Sequence, residues 1–293
     1  MKIKKVIITA GGLGTRFLPF TKSVAKEMLP IVDRPNLEYL IDECKKSGIE
    51  EVILIVNNKK PEIEKYYSKD EELTKTLKKE NKLNELKAIE SIGNGVMISF
   101  VYQEKPIGLA NALYVAKNKI DGEDFAVILG DDLMYNQDYP CLKQLLDIYN
   151  QYDCNVIAVQ EVDKSEVSKY GIVGVEKEVK ADVFQLNDLI EKPEIEKAPS
   201  NYAIIGRYVF KNSIFDYIEK LKIGKNNEFQ LTDALKNMLI DNNKIFSKNL
   251  QGIRFDTGSK LGYAEAFIFY SCLRDDIGES VKQFIKKYID KNN

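Results

Sequence analysis

Glycines and basic residues near the N-terminus form the clearest chemical pattern in this sequence. The short apolar run Val6-Ile7-Ile8 is followed by Gly11-Gly12-Leu13-Gly14-Thr15-Arg16, and Lys22 and Lys26 come soon after. Glycines directly after a strand let the backbone approach an anion closely, with amide N–H groups turned into the loop. The three basic side chains supply the positive charge that a polyphosphate requires. The pattern therefore predicts a phosphate-binding loop.

Two common nucleotide-binding loops fit this segment poorly. The Gly-Lys-Ser/Thr ending of a P-loop is missing, and Phe17 stands where a dinucleotide-binding fingerprint has its third glycine. We therefore expect neither a P-loop enzyme nor a plain dinucleotide-binding oxidoreductase.

Two aspartates follow predicted strands. Asp131 comes after the apolar run 125–129, and Asp256 follows the short run 253–255. Ligands of open α/β sheets bind at the carboxyl ends of strands, and Mg²⁺ takes few carboxylates beside phosphate oxygens and water. The two aspartates are thus candidate Mg²⁺ ligands, with capping or turn formation as the alternative. Asp132 ranks lower because its side chain should point to the opposite face of the strand.

Composition excludes several kinds of chemistry. The chain has 293 residues, with 43 Lys+Arg against 45 Asp+Glu, and no histidine. A net charge of −2 gives no basic excess for nucleic acid or an anionic membrane. Without histidine there is no Ser-His-Asp triad, no histidine base and no histidine-ligated metal. Any chemistry must use carboxylates, Lys, Arg, backbone amides or a hard cation.

The N-terminus and the cysteines favour a cytoplasmic protein. The first apolar run is too short for a signal peptide or a membrane span. The cysteines match no redox or zinc spacing and are expected to be reduced small hydrophobes. They are Cys44, Cys141, Cys154 and Cys272.

Hydrophobic patterning predicts alternating strands and helices, hence an α/β sandwich. The runs 6–8 and 52–56 flank a helical pattern that begins near Pro35 and ends at Gly48. The charged segment 62–90 is predicted to form solvated helices. We expect one domain, residues 1–293, in which the helical segment 260–293 packs on the sheet or on a second subunit. Further strands are predicted at 98–102, 125–129, 155–159, 171–175, 203–210 and 253–255.

Several ordered motifs together resemble the sugar-1-phosphate nucleotidyltransferases, and among them most closely the bacterial UTP–glucose-1-phosphate uridylyltransferases. The resemblance runs from about residue 3 to about residue 275. It is carried by Gly12-Leu13-Gly14-Thr15-Arg16-Phe17-Leu18-Pro19, Lys26-Glu27-Met28-Leu29-Pro30, Gln103-Glu104-Lys105-Pro106, Leu129-Gly130-Asp131-Asp132, Tyr170-Gly171, Glu191-Lys192-Pro193 and Asp256-Thr257-Gly258.

The resemblance implies a Rossmann-like (GT-A-like) three-layer α/β sandwich with a mixed, mostly parallel sheet. It also implies the reaction of UTP with glucose 1-phosphate, assisted by Mg²⁺ bound at Asp131 and Asp256, in a homo-oligomer (dimer or tetramer). Nucleotide contacts are implied for Ala10, Gly11, Gly12, Gly14, Thr15, Glu27, Gln103 and Gly108. Sugar contacts are implied for Gly171, Glu191 and Lys192. The implied catalytic residues are Arg16 on the departing phosphates, Lys26 on the reacting phosphates and Lys192 on the glucose phosphate.

One departure from the family pattern leaves open which base the nucleotide substrate carries. Ala110-Asn111 follows Gly108-Leu109 where a Gly-His pair is common in the uridylyltransferases, and the stretch is similar to that of thymidylyltransferase relatives. A glucose-1-phosphate thymidylyltransferase is therefore the nearest alternative. A catalytically silent sugar-nucleotide-binding regulatory protein is the alternative from another class, although such a protein has no need of the charged residues retained here.

Overall fold

Most of the apolar runs of the sequence form strands of one mixed sheet. The structure is a computed structural model, and it describes residues 2–224 and 227–292. The strands are β1 (Lys5–Ala10), β2 (Pro30–Ile31), β3 (Arg34–Pro35), β4 (Glu51–Val56), β5 (Met97–Tyr102), β6 (Phe125–Leu129), β7 (Asp132–Tyr135), β8 (Asn155–Glu161), β9 (Gly171–Lys180), β10 (Val183–Glu191), β11 (Tyr202–Phe210), β12 (Ile245–Asn249) and β13 (Ile253–Asp256). The helices are α1 (Asn36–Lys46), α2 (Glu62–Tyr67), α3 (Glu71–Lys79), α4 (Leu83–Glu90), α5 (Leu109–Val115), α6 (Lys117–Ile120), α7 (Cys141–Tyr152), α8 (Ile214–Ile218), α9 (Leu231–Ile240), α10 (Lys260–Leu273) and α11 (Gly278–Asn292).

The main sheet has the strand order β5-β4-β1-β6-β11-β8-β12-β10-β9. Its first four strands are parallel to one another, and β11 then pairs antiparallel with both β6 and β8. The predicted mixed sheet is confirmed; its parallel part lies in the N-terminal half, and the later strands pair mostly antiparallel. β7 and β13 form a separate antiparallel ribbon beside the end of β6.

Side chains alternate between two cores, one on each face of the sheet. Along β1, Val6 and Ile8 point into one core and Ile7 into the other, and all three are fully buried. Helices α1 and α7 cover the first face, and α5, α8 and α9 cover the second. This is the three-layer sandwich that the sequence predicts, because strands buried on both faces need a helical layer on each side.

The charged segment 62–90 is helical and solvent-exposed, as predicted. Residues 62–90 form three helices whose side chains are mostly exposed. All four cysteines lie within the described residues and are free thiols, and Cys272 is less deeply buried than the others. Within the described residues, no helix has the length and apolar character needed to cross a bilayer.

The C-terminal helices contact the ribbon of β7 and β13. Phe269 and Tyr270 of α10 pack against Tyr135 and Phe255 with ring-centroid distances of 4.9 to 6.2 Å. α11 lies outside α10, and its large apolar side chains are mostly exposed. The described part of this C-terminal segment, 260–292, therefore packs beside the ribbon and still presents an apolar surface.

A fully buried arginine joins the two halves of this fold. The Nε and Nη2 atoms of Arg207, on β11, donate to the Glu43 carboxylate of α1 at 3.1 and 2.6 Å. Its Nη1 donates to the backbone oxygen of Asp132 at 2.5 Å. Burial disfavours the charged guanidinium, but Glu43 and Asp132 outweigh that cost and raise the pKa of Arg207. The ion pair thus fixes α1, β7 and β11 relative to one another.

Replacing this arginine should destabilise the protein strongly. We expect Arg207→Met to lower the free energy of unfolding by about 3–5 kcal/mol, because Glu43 is left as a buried charge without its partner. Urea denaturation measures the loss. The matched control is Lys2→Met, since Lys2 pairs with Asp153 where the side chains are 59% and 55% exposed; such a pair contributes about 1 kcal/mol or less. Equal losses in the two variants would refute the structural role of Arg207.

Candidate active site

Side chains bind two carbonyl groups of the glycine loop, residues 11–16, that follows β1. The Thr21 hydroxyl donates to the Gly14 oxygen at 2.6 Å, and Lys60 Nζ donates to the Leu13 oxygen at 3.2 Å. The N–H and C=O of one peptide unit point in opposite directions. The N–H groups of Gly14 and Thr15 are therefore turned away from these two anchors. Gly14 has φ +68°, which glycine adopts without strain, and it begins the short 3₁₀ turn that carries Arg16.

Basic and acidic side chains converge beside this loop. Lys26 Nζ donates to Asp131 Oδ2, and its Cε lies 3.5 Å from the position that a Cβ at Gly12 would take. Arg16 reaches both aspartates, with Nη2 3.9 Å from Asp131 Oδ2 and Nη1 3.7 Å from Asp256 Oδ2. Four residues from three separate segments of the sequence thus form one charged cluster.

The two aspartates meet at Gly258. A Cβ at that glycine would lie 2.5 Å from Asp131 Oδ2 and 3.0 Å from Asp256 Oδ1, so any side chain there would press on both carboxylates. The Thr257 hydroxyl donates to the Asp131 backbone oxygen at 3.0 Å, and the Gly258 N–H donates to Asp256 Oδ1 at 3.0 Å. The turn after β13 therefore presents both carboxylates on one side.

This donor set suits a hard cation that is shared with a ligand. Within the described parts of the chain, no group of three or more His, Cys, Asp or Glu side chains forms a metal cage. Mg²⁺ does not need such a cage, since it usually takes one or two carboxylates and completes its shell with phosphate oxygens and water. Asp131 and Asp256 meet that requirement.

The charges in the cluster stabilise one another. Burial disfavours the ionised carboxylate of Asp131, yet Lys26 and Arg16 outweigh it and hold its pKa below the usual value. Burial likewise disfavours the Lys26 ammonium, but Asp131 and Glu27 raise the pKa of Lys26. Both groups are therefore charged at neutral pH.

Glu27 lies in a different environment from its neighbours. It is 2% exposed, and its Oε2 atom is buried with no hydrogen-bond partner among the residues that the structure describes. Burial raises the pKa of Glu27 to about 7; Lys26 lowers it, and the nearby Asp131 carboxylate raises it further. The carboxyl group therefore gains a proton close to neutral pH.

The predicted base-recognition residues lie on the other side of the loop. The N–H of Gln103, directly after β5, donates to the Val56 oxygen at 2.9 Å. Its Oε1 atom lies 3.2 Å from the position of a Cβ at Gly11. Gly108 has φ +107°, and a Cβ there would lie 2.5 Å from the Phe229 oxygen, so only glycine fits. The short N-terminal turn of α5 is thereby held close to Gln103.

The predicted sugar-contacting residues meet where β9 begins and β10 ends. Glu191 pairs with Gly171 across the two strands, and its Oε2 atom lies 3.2 Å from the Thr232 hydroxyl. In an extended strand Glu191 and Lys192 would point to opposite faces. Lys192 instead has φ +46°, and its Nζ atom lies 3.4 Å from Glu191 Oε1. The left-handed residue brings both side chains to one side.

Arg254 links the aspartates to the sugar-contacting loop. Its Nε and Nη2 atoms contact Asp132 Oδ2 at 2.8 and 2.7 Å, and its guanidinium carbon lies 5.4 Å from the centre of the Tyr170 ring. The Tyr170 backbone oxygen accepts from the Lys192 N–H at 2.9 Å. Asp132 is 4% exposed and faces inward, away from the Asp131 cluster, as the strand alternation predicts.

Sequence reasoning missed some residues that support the site. Arg254 carried no motif of its own. Asn36 donates from Nδ2 to the Gly130 oxygen at 2.7 Å and fixes the turn before Asp131. Lys60 gave no signal, because its sequence neighbours read as an ordinary charged loop. Ala10, by contrast, was among the predicted nucleotide contacts; it is the last residue of β1 and is buried directly before the glycine loop.

Removing the carboxyl group of Glu27 should change how stability depends on pH. Its pKa is about 7 in the folded protein, above the ordinary 4.5, so the folded state binds this proton more tightly than the unfolded state. That contribution to stability is complete below pH 4.5 and is lost as the pH rises through 7. Relative to wild type, Glu27→Gln should therefore gain roughly 2–3 kcal/mol of stability between pH 5 and pH 8.

Urea denaturation at the two pH values, with EDTA present, measures this gain. Glu196→Gln is the matched control, because it makes the same substitution at an exposed position. A constant difference between Glu27→Gln and wild type at both pH values would show that Glu27 does not titrate as described.

Comparison with known proteins agrees with this geometry. Residues 5–271 match the family model described as nucleotidyl transferase. The UTP–glucose-1-phosphate uridylyltransferase 1 of Staphylococcus saprophyticus is 41% identical over 286 residues, which is 98% of this chain and 99% of the relative. The UTP–glucose-1-phosphate uridylyltransferase of Mycoplasma genitalium is 42% identical over 279 residues, 95% of each chain.

Solved structures give the same result. A crystal structure of UDP-glucose pyrophosphorylase complexed with UDP-glucose is 40% identical, with a TM-score of 0.84 over 93% of this chain and 100% of the other. The UTP-bound enzyme from Acinetobacter baumannii is 37% identical, with a TM-score of 0.89 over 97% of this chain and 98% of the other. The chain therefore belongs to the nucleotidyl transferase family, and within it to the UTP–glucose-1-phosphate uridylyltransferases.

Proposed function

We propose that this chain transfers the uridylyl group of UTP to glucose 1-phosphate and releases UDP-glucose and pyrophosphate. The observation that carries the proposal is the cluster of Arg16, Lys26, Asp131 and Asp256 beside the glycine loop. Relatives about 40% identical over nearly the whole chain are named for this reaction, and related structures hold UTP or UDP-glucose.

The reaction needs no proton shuttle. The phosphate of glucose 1-phosphate is an anion at neutral pH, so one of its oxygens attacks the α-phosphorus of UTP without prior deprotonation. The new P–O bond forms as the bond to the bridging oxygen of pyrophosphate breaks, and the bonding electrons leave with pyrophosphate. Catalysis then consists of holding two anions in line and stabilising the charge between them. A chain without histidine meets these requirements.

The charged cluster supplies that stabilisation. Arg16, whose side chain is 60% exposed, is free to reach the β- and γ-phosphates together with the N–H groups of the glycine loop. Lys26 is more buried, at 15% exposed, and would contact the reacting phosphates from a fixed position. Both cations lie beside the Asp131 carboxylate, so the anionic oxygens of a phosphate would suit the same surroundings.

The sugar phosphate is assigned to the loop at the ends of β9 and β10. Lys192 orients the phosphate of glucose 1-phosphate, and Glu191 accepts hydrogen bonds from sugar hydroxyls. Gly171 lets the Glu191 carboxylate lie close to the backbone, because a Cβ there would lie 3.1 Å from Glu191 Oε2 and would press on it. The left-handed backbone at Lys192 makes the two roles compatible, since both side chains point toward one ligand.

Asp131 and Asp256 would hold Mg²⁺. When bound, Mg²⁺ neutralises charge on the nucleotide phosphates and helps to fix their geometry. Asp132 takes no part in this binding, because Arg254 and Arg207 occupy its carboxylate.

Two other functions were open from the sequence. A thymidylyltransferase would use the same cluster, but the relatives about 40% identical over nearly the full chain are named as uridylyltransferases. A silent regulatory protein would have no need of the intact set of phosphate- and metal-binding residues.

The remaining expectations stay predictions. We propose a cytoplasmic location, because the free thiols suit a reducing compartment and UTP is an intracellular substrate. We also propose one domain over residues 1–293 and a homo-oligomer in which the segment 260–293 takes part. Leu261 and Phe284, 71% and 69% exposed, are the side chains that such an interface would cover.

Removing the Lys192 ammonium should weaken use of the sugar phosphate. In single-turnover experiments, Lys192→Ala should lower the rate at limiting glucose 1-phosphate by roughly 10- to 100-fold, because a charge-assisted hydrogen bond to phosphate is lost. The affinity for UTP should stay near wild type. Lys197→Ala is the matched control, as Lys197 is 71% exposed and pairs only at the surface with Glu194. A near wild-type rate would remove Lys192 from the site.

Removing one metal-binding carboxylate should raise the requirement for Mg²⁺. We expect no pyrophosphate release when EDTA replaces Mg²⁺, and we expect Asp131→Asn to slow a single turnover by at least roughly tenfold at low Mg²⁺. Asp138→Asn, at an exposed aspartate, should behave as wild type. Full activity in EDTA would contradict the metal role, and a normal Mg²⁺ titration of Asp131→Asn would contradict the assignment of that residue.

A further inference from the structure

The turn that follows β4 contacts the glycine loop from a separate segment of the chain. It comprises residues 57–60 and leads into Glu62, the first residue of α2. Lys60 Nζ donates to the Leu13 oxygen at 3.2 Å, and Lys60 is only 9% exposed. A buried ammonium group is costly unless it meets an acceptor, and here the acceptor is a carbonyl of the loop. Lys60 therefore differs from a solvated surface lysine.

Glu62 holds a second point of the phosphate-binding segment. Its Oε1 atom accepts from the Ala25 N–H, directly before Lys26. The 3₁₀ turn that carries Arg16 lies between residue 13 and residue 25. Two side chains of one short segment thus hold the backbone on either side of the Arg16 turn.

The backbone of this turn is fixed to the central sheet. Val56 is the last residue of β4, and its oxygen accepts from the Gln103 N–H at 2.9 Å. Asn57 is 6% exposed and closes the turn. Its backbone oxygen accepts from the Lys60 N–H at 3.0 Å, and its Oδ1 atom accepts from the Lys59 N–H at 2.9 Å. The side chains of the turn therefore extend from a fixed base.

Neither contact can form with donor and acceptor exchanged. An ammonium group only donates and a carbonyl only accepts, while a carboxylate only accepts and a backbone N–H only donates. Because the Leu13 oxygen faces Lys60, the Gly14 N–H of the same peptide unit faces the opposite side. The contact with Lys60 thus sets the direction of one N–H group of the loop.

The residues of the loop restrain this peptide unit only weakly by themselves. Gly12 and Gly14 flank Leu13, and glycine adopts left-handed and right-handed backbone about equally well. The Leu13 side chain is 57% exposed, so its packing adds little. Without Lys60, the peptide unit would be free to rotate and to turn its N–H away from a bound phosphate.

We propose that Lys60 and Glu62 are positioning residues for the triphosphate of UTP. Lys60 directs the Gly14 N–H toward the β- and γ-phosphates, and Glu62 fixes the backbone that carries Lys26. The inference rests on the proposed function, because it takes the glycine loop as the place where the phosphates of UTP bind. Both side chains act through the backbone of the loop segment.

Equilibrium binding of UTP and UMP tests the role of Lys60. UMP shares the base, the ribose and the α-phosphate with UTP but lacks the two phosphates assigned to the loop. With Mg²⁺ present, Lys60→Met should bind UTP roughly tenfold or more weakly than wild type, because an N–H group no longer faces the phosphates. The affinity for UMP should stay near wild type.

Lys59→Met is the matched control, since Lys59 is the neighbouring lysine and is exposed. It should bind both nucleotides as wild type does. The role of Lys60 is overturned if Lys60→Met keeps the wild-type ratio of the two affinities, or if folded Lys60→Met loses affinity for both nucleotides equally.

Turnover tests the role of Glu62. Glu62→Leu removes the acceptor of the Ala25 N–H, so kcat should fall roughly tenfold or more while the KM for glucose 1-phosphate stays near wild type. Glu62→Gln keeps an acceptor oxygen and should keep most of the wild-type kcat. Expressing kcat per UMP-binding site removes any unfolded fraction from the comparison. An unchanged kcat in Glu62→Leu, or an equal loss in Glu62→Gln, overturns this role.

Failure of this inference can be told apart from failure of the proposed function. If wild type binds UTP more tightly than UMP but releases no pyrophosphate with glucose 1-phosphate, the proposed function fails, and the Lys60 variants still decide the inference through binding. If wild type turns over but binds UTP and UMP equally, the loop gains nothing from the β- and γ-phosphates. The inference is then overturned while the proposed function stands.

Discussion

Two adjacent aspartates with opposite environments are the constraint on which this site depends. Asp132 points into the protein, where Arg207 and Arg254 pair with it, and Asp131 points out toward Lys26 and Arg16. A buried carboxylate without a cation would cost several kcal/mol, so the inner pair must form for this strand end to exist. Once Asp132 is fixed inward, the strand geometry directs Asp131 outward beside the glycine loop. The outer carboxylate is thus positioned by ion pairs on the inner side of the same strand end.

The same network explains how distant parts of the chain come to act together. Arg207 ties the strand end to α1, and Arg254 continues from Asp132 to the ring of Tyr170, whose backbone oxygen receives the Lys192 N–H. A chain of contacts therefore runs from the proposed metal ligands to the proposed sugar site. Most of its members are buried side chains or backbone groups, so the two anions would meet a preorganised surface.

Much of the fold could be predicted from the sequence, and the same physical reasons explain which strands could not be predicted. Strands such as β4 and β6 were recognised because both their faces are buried and their residues are apolar throughout. β10 and β12 were missed, because polar residues such as Asn187 and Lys248 interrupt their apolar patterns. The phosphate-binding part of the site was predictable, because glycines and basic residues occur together in one short segment of the sequence. Contacts made across the sheet, such as those of Arg254 and Asn36, leave no local pattern, and the left-handed backbone of Lys192 is visible only in three dimensions.

The absence of histidine is compatible with this arrangement once the reaction is considered. A nucleophile that is already ionised needs nearby cations and a fixed orientation. The chain places its basic side chains together at the site, although its net charge is only −2. The most direct test measures pyrophosphate release with each of the four nucleoside triphosphates against a set of sugar 1-phosphates. The account predicts rapid release with UTP and glucose 1-phosphate and much slower release with every other pair. No release with any pair, or faster release with another nucleotide, would contradict it.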